Sequence, residues 1–103
     1  MKFEINDTSK ENIYNLMREI GYIFQQKDEI RKELNFIRPL ERSGYPRFHL
    51  YLKTEGENLI FNLHLDQKKP LYKGVPAHSG EYEGKVVEEE TERIRKILET
   101  EKT

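Results

Sequence analysis

The sequence predicts an α+β fold in two layers, a three-stranded antiparallel sheet with two helices on one face, in the order α-β-β-β-α. Three observations carry that expectation. Residues 8–26 repeat apolar side chains at three- and four-residue spacing, residues 47–66 alternate apolar with polar side chains around a short glycine-containing break, and residues 84–99 return to the helical spacing.

The first helix is expected over 8–26. Thr8-Ser9-Lys10-Glu11 has the form of a capping box, and Ile13, Leu16, Met17, Ile20 and Phe24 form one stripe behind it. The polar cluster Gln25-Gln26-Lys27-Asp28-Glu29 is read as its end. A first strand is expected over 31–38 with Leu34 and Phe36 on one face, closed by Pro39 and the turn Arg42-Ser43-Gly44-Tyr45-Pro46. The second strand, 47–54, sets Phe48, Leu50 and Leu52 against Arg47, His49, Tyr51 and Lys53. The third, 58–66, sets Leu59, Phe61, Leu63 and Leu65 against Ile60, Asn62, His64 and Asp66.

Thr54-Glu55-Gly56-Glu57 suits a tight hairpin between these two strands. With Thr54 opposite Glu57, Leu52 meets Leu59, Leu50 meets Phe61 and Phe48 meets Leu63, so that all six apolar side chains share one face. Residues 67–83 have no period and contain Pro70, Gly74, Pro76 and Gly80, which reads as a long loop. The last helix, 84–99, carries Val87, Thr91, Ile94 and Leu98 as its stripe, and Glu88-Glu89-Glu90 is read as a solvated face.

At 103 residues the chain is expected to form one domain, spanning 1–103. No run of apolar residues approaches the ~20 of a membrane span, and Met1 to Asp7 lack a signal core, so a soluble, cytoplasmic protein is expected. The absence of cysteine excludes disulfides, thiolate zinc sites and thiol nucleophiles. The net charge is −1, with seven basic and four acidic groups over 38–80 and five basic and eight acidic over 81–103. The central segment is mildly basic, short of the balance of a dedicated nucleic-acid binder.

The element order α-β-β-β-α is similar to that of double-stranded-RNA-binding domains. In that family the second helix opens with lysines that meet phosphates. The matching stretch here is Lys85-Val86-Val87-Glu88-Glu89-Glu90, whose carboxylates repel phosphate, so the likeness is one of element order only.

The polar face of the hairpin holds the candidate chemistry. The expected register sets His49 opposite Asn62 and Arg47 opposite His64, with Asp66 beyond, and His78 follows in the long loop. Three readings compete with an ordinary solvated face. In the leading one, the face and the 67–83 loop bind an anionic partner such as RNA, a nucleotide or phosphate through Arg47, His49, Tyr51, Asn62, His64, Lys68 and Lys69, with aromatic rings stacking on bases. In the second, the chain is a small hydrolase: His49 and His64 act as an acid/base pair, or His49, His64, Asp66 and His78 hold a divalent transition metal. In the third, a strip of Ile37, Tyr51 and Ile60 across the same face is covered by a second copy in a homodimer. No phosphate-binding glycine loop, nucleophile elbow or His-Glu-x-x-His motif occurs.

Overall fold

The computed structural model describes residues 1–6, 12–67 and 80–100. The chain is an α+β fold of two helices and one antiparallel sheet, but the sheet has five strands where the sequence predicts three. The elements are β1 (Lys2–Asn6), α1 (Ile13–Glu19), β2 (Ile23–Asp28), β3 (Glu33–Pro39), β4 (Arg47–Glu55), β5 (Asn58–Asp66) and α2 (Gly80–Thr100). Spatially the strands run β1-β5-β4-β3-β2. β2 to β5 form a meander, and β1 adds to its far side against β5. The strand that opens the chain and the strand that follows α1 also remove the likeness in element order to double-stranded-RNA-binding domains.

Both extra strands have a local cause. β1 has the period of two in miniature, with Phe3 and Ile5 buried between exposed neighbours, and Phe3 meets Phe61 edge-on with ring centroids 4.9 Å apart. β2 occupies what the sequence reads as the end of the first helix. α1 stops instead at Gly21, whose φ of 98° lies in the left-handed region that favours glycine. Gly21 N–H donates to Arg18 O at 3.0 Å and Tyr22 N–H to Met17 O at 2.9 Å, the paired bonds of a Schellman motif. Phe24 therefore leaves the helical stripe and enters the sheet opposite Phe36, and the cluster from Gln25 to Asp28 is strand. At the start of α1, Asn12 is the N-cap, its side chain accepting from Tyr14 and Asn15 N–H. The expected capping box at Thr8 to Glu11 lies outside the described residues.

The β4–β5 hairpin also corrects the expected register. Glu55 faces Asn58 across a two-residue loop of Gly56, at φ 60°, and Glu57. Glycine at the first loop position supplies the positive φ that a two-residue hairpin turn needs there. Each β4 residue consequently meets a β5 residue two places later than predicted: Leu52 meets Phe61, Leu50 meets Leu63 and Phe48 meets Leu65. A shift of two preserves facing, so the apolar set stays together while every polar pair changes partner.

One core lies between the sheet and the two helices. It joins Phe3 and Ile5, Leu16, Met17, Ile20 and Tyr22, Phe36, the inward residues of β4 and β5, and Val87, Ile94 and Leu98 of α2. Glu90, expected on a solvated face, is buried with this set at 4% exposure. It accepts hydrogen bonds from Tyr22 Oη, from Arg38, and from Arg93 Nε and Nη2, and Arg93 Nη2 also donates to Ile20 O. A buried carboxylate is tolerated because every one of these donors is aimed at it. No helix among the described residues is long and apolar enough to cross a membrane. Among the described residues no helix packs on the opposite face of the sheet.

Candidate functional site on the open sheet face

The outward side chains of β3, β4 and β5 form three rows across the open face. One row is Pro39, Arg47 and Asp66; the next is Ile37, His49 and His64; the third is Asn35, Tyr51 and Asn62. The two-residue register shift brings His49 directly opposite His64 and Arg47 directly opposite Asp66, where the sequence sets His49 against Asn62 and Arg47 against His64.

Asp66 Oδ2 is the hub. It accepts from Arg47 Nε at 3.2 Å, straight across the strands, and lies 3.1 Å from His49 Nδ1 on the diagonal. An ionised carboxylate only accepts, so the proton between them sits on His49 Nδ1. His49 Nε2 lies 3.2 Å from the side-chain amide of Asn35, which is 4% exposed. The near atom is Asn35 Oδ1, to which an imidazolium donates; a neutral ring protonated at Nδ1 accepts instead from the Asn35 N–H once the amide is turned over. In both cases the imidazole is held at its two ends. Its plane is fixed as well: it stacks on Tyr51 with centroids 4.4 Å apart and 18° between planes. The Tyr51 ring in turn meets His64 edge-on at 5.8 Å.

Beside this group the Arg47 guanidinium lies 4.6 Å from the centre of the Tyr45 ring. Its Nε donates to Asp66 Oδ2. Burial pushes the Tyr51 phenol above its ordinary pKa, and the Asp66 and Glu33 carboxylates push it further. Tyr51 is thus a neutral hydroxyl at physiological pH and no phenolate base.

These positions decide what each predicted residue contributes. Arg47, His49, Tyr51, Asn62, His64 and Asp66 share one face, and Arg47, His49 and Asp66 form one bonded cluster. Lys68, Lys69 and His78 lie outside the described residues. Among the described residues no three His, Cys, Asp or Glu side chains gather as a metal-binding group, and both His49 nitrogens are already engaged.

Asn35 and Tyr45 were not singled out by sequence. Asn35 lies between Leu34 and Phe36, and alternation alone turns it to the open face. Tyr45 reaches Arg47 only through the β3–β4 turn, which no periodicity describes. No family model, curated protein or solved structure matches the chain.

Proposed function

We propose that the open face of the sheet is a binding surface for an anionic partner that carries planar rings, with single-stranded RNA or a nucleotide as the ligand class. The observation that supports this reading best is the set of rings on the central strands: Tyr51 stacked on His49, His64 at its edge, and Tyr45 under Arg47. Aromatic side chains on a sheet face that no described helix covers offer base-sized platforms, and base stacking contributes about 1–3 kcal/mol per base. Lys2 and Lys53, also on this face, supply charge for phosphates beside Arg47.

Titration of a fluorescent single-stranded RNA with the protein at several salt concentrations tests the proposal. Binding that weakens with salt, and weakens further in Tyr51→Ala and Arg47→Ala, is the expected result. Affinity independent of salt and of both substitutions removes it.

A second reading rests on one further observation. Ile23 is 55% exposed and pairs in register with Ile37, so the strip of Ile37, Tyr51 and Ile60 gains a fourth apolar member. A homodimer through this face predicts that Tyr51→Asp halves the mass in light scattering, whereas RNA binding by a monomer leaves the mass unchanged. The hydrolase reading is less well served. A general base needs an accessible imidazole nitrogen, and His49 Nε2 points at the buried Asn35.

A further inference from the structure

Among the described residues β2 ends the sheet on the side away from β1 and pairs with β3 alone, so alternate N–H and C=O groups along its outer edge meet no described strand. The two edges differ in character. β1 alternates its buried Phe3 and Ile5 with exposed Lys2, Glu4 and Asn6, and such polar edges resist addition of another strand. β2 begins with exposed Ile23 and Phe24, and Phe24 packs edge-on against Tyr14 of α1 with centroids 5.1 Å apart.

Tyr14, Arg18, Tyr22, Ile23 and Phe24 together line an open cleft between α1 and this edge. Arg18 has no ion-pair partner among the described residues, although carboxylates are plentiful along the chain. An apolar cleft, a strand edge that no described strand covers and a guanidinium without an ion-pair partner among the described residues therefore meet at one place.

We propose that this edge receives an extended segment of a partner protein, added as a sixth strand beside β2, with an apolar side chain in the cleft and an acidic side chain two residues away on Arg18. Strand addition supplies main-chain hydrogen bonds, and pockets for alternate side chains supply selectivity. The i, i+2 spacing follows from the pleat, because side chains two apart leave a strand on the same face. The register break between Phe24 and Gln26 divides β2 into a first run, Ile23 and Phe24, beside the cleft and a second from Gln26 to Asp28, so a strand added beside the cleft meets a short regular run before the break. That short length suits a peptide and disfavours a second copy of the chain. Antiparallel self-pairing about Gln25 and Gln26 would set Ile23 against Asp28 and Phe24 against Lys27, apolar against charged in both cases.

The test is an amide-resolved NMR titration of the full chain. The probe is a capped, threonine-rich peptide with valine and glutamate two residues apart, and its control has lysine in place of glutamate. The expected result is that the glutamate peptide shifts and protects from exchange the amides of Ile23 to Gln25, that the lysine peptide does not, and that Arg18→Glu reverses this preference. A reversal of preference is not produced by partial unfolding. Three results overturn the proposal: no change at β2 with either peptide, equal changes with both that Arg18→Glu leaves intact, or protection of these amides without peptide in a chain that scatters as a dimer.

Discussion

The Tyr22 hydroxyl lies 2.6 Å from Glu90 Oε2, joining the turn after α1 to the middle of α2 across 68 residues of sequence. Arg38 from β3 and Arg93 from α2 complete the coordination of the carboxylate. α2 is thereby tied to the β2–β3 side of the molecule by polar bonds, while its apolar face packs over the core. Removing the carboxylate leaves two guanidinium groups and a buried phenol without their acceptor. Glu90→Ala is expected to cost about 3 kcal/mol, the low end for a broken buried pair because both arginines stay about one-third exposed. Tyr22→Phe is expected to cost about 1–2 kcal/mol. Urea unfolding followed by circular dichroism measures both.

The same bond gives the fold an alkaline limit. Burial first, and then the charge and hydrogen bond of Glu90, push the Tyr22 phenol far above its ordinary value of 10.0. A pKa raised on folding contributes stability that is fully present below the unfolded value and is lost as pH rises above it. Stability is therefore expected to fall above about pH 10 at up to roughly 1.4 kcal/mol per pH unit for this one proton. Tyr51, also raised, adds in the same direction. In Tyr22→Phe the alkaline decline should be shallower by that one-proton slope, and unfolding curves taken at successive pH values would show it. An identical slope in the variant would assign the decline to other groups.

Gly21 decides where α1 stops, and with it whether β2 exists. At φ 98° any other L-residue is strained, and a Cβ added there would sit 3.4 Å from Arg38 Nε, one of the side chains around Glu90. Gly21→Ala is expected to lower stability by about 1–2 kcal/mol. The loss should exceed that of an alanine at Gly44, which also has a positive φ but open space around it. Thermal unfolding of the two variants side by side decides the ranking.

Gly21 also marks the limit of what the chain's pattern reveals. The stripe Ile13, Leu16, Met17, Ile20 is a true helical face, and Phe24 extends its spacing by coincidence, since a residue four places on fits a helix whether or not the backbone continues. The glycine can be read as an interior cost or as a C-cap, and only the backbone bonds from Gly21 to Arg18 and from Tyr22 to Met17 separate the two. β4 and β5 were legible because four inward residues in one strand and three in the other leave a single facing. Their pairing offset was not, because a shift of two residues keeps every apolar side chain inside and so costs the pattern nothing. That offset nonetheless determines whether Asp66 bonds Arg47. The site was therefore legible as a list of residues on one face and illegible as a set of bonds. Glu90 was hidden for a similar reason: within Glu88-Glu89-Glu90 nothing local distinguishes the one carboxylate that turns inward toward Tyr22.

Asp66 holds the charge of Arg47 and the Nδ1 proton of His49 in one place, which also restrains both groups from meeting an outside anion. Asp66→Asn should release them. The groups concerned retain between 19% and 32% side-chain exposure, so the lost pairing should cost no more than about 1 kcal/mol of stability. If the open face binds RNA, the variant should bind it more tightly than the parent protein and with a steeper salt dependence, since one more cation is free to displace counterions. Anisotropy titrations at two salt concentrations give both quantities. Weaker binding in Asp66→Asn would mean that the carboxylate orients the cluster for its ligand rather than masking it.

Tyr51 separates the two uses proposed for the open face. As a stacking platform it needs its ring and not its hydroxyl, so Tyr51→Phe should keep RNA affinity near the parent value while Tyr51→Ala loses about 1–3 kcal/mol of binding. As the centre of a dimer contact it needs its apolar area, so Tyr51→Ala should weaken association without any change in a nucleic-acid assay. The stack on His49 is part of both, because a ring held parallel 4.4 Å from an imidazole is already fixed in the orientation a base or a facing side chain would meet. Fixing the ring beforehand lowers the entropy lost on binding. Substituting His49 by leucine should therefore loosen Tyr51 and reduce whichever binding the face performs, even though His49 itself, held between Asp66 and Asn35, need not touch the ligand. Comparing His49→Leu and Tyr51→Ala in the same two assays, oligonucleotide binding and native mass, would show which binding that is.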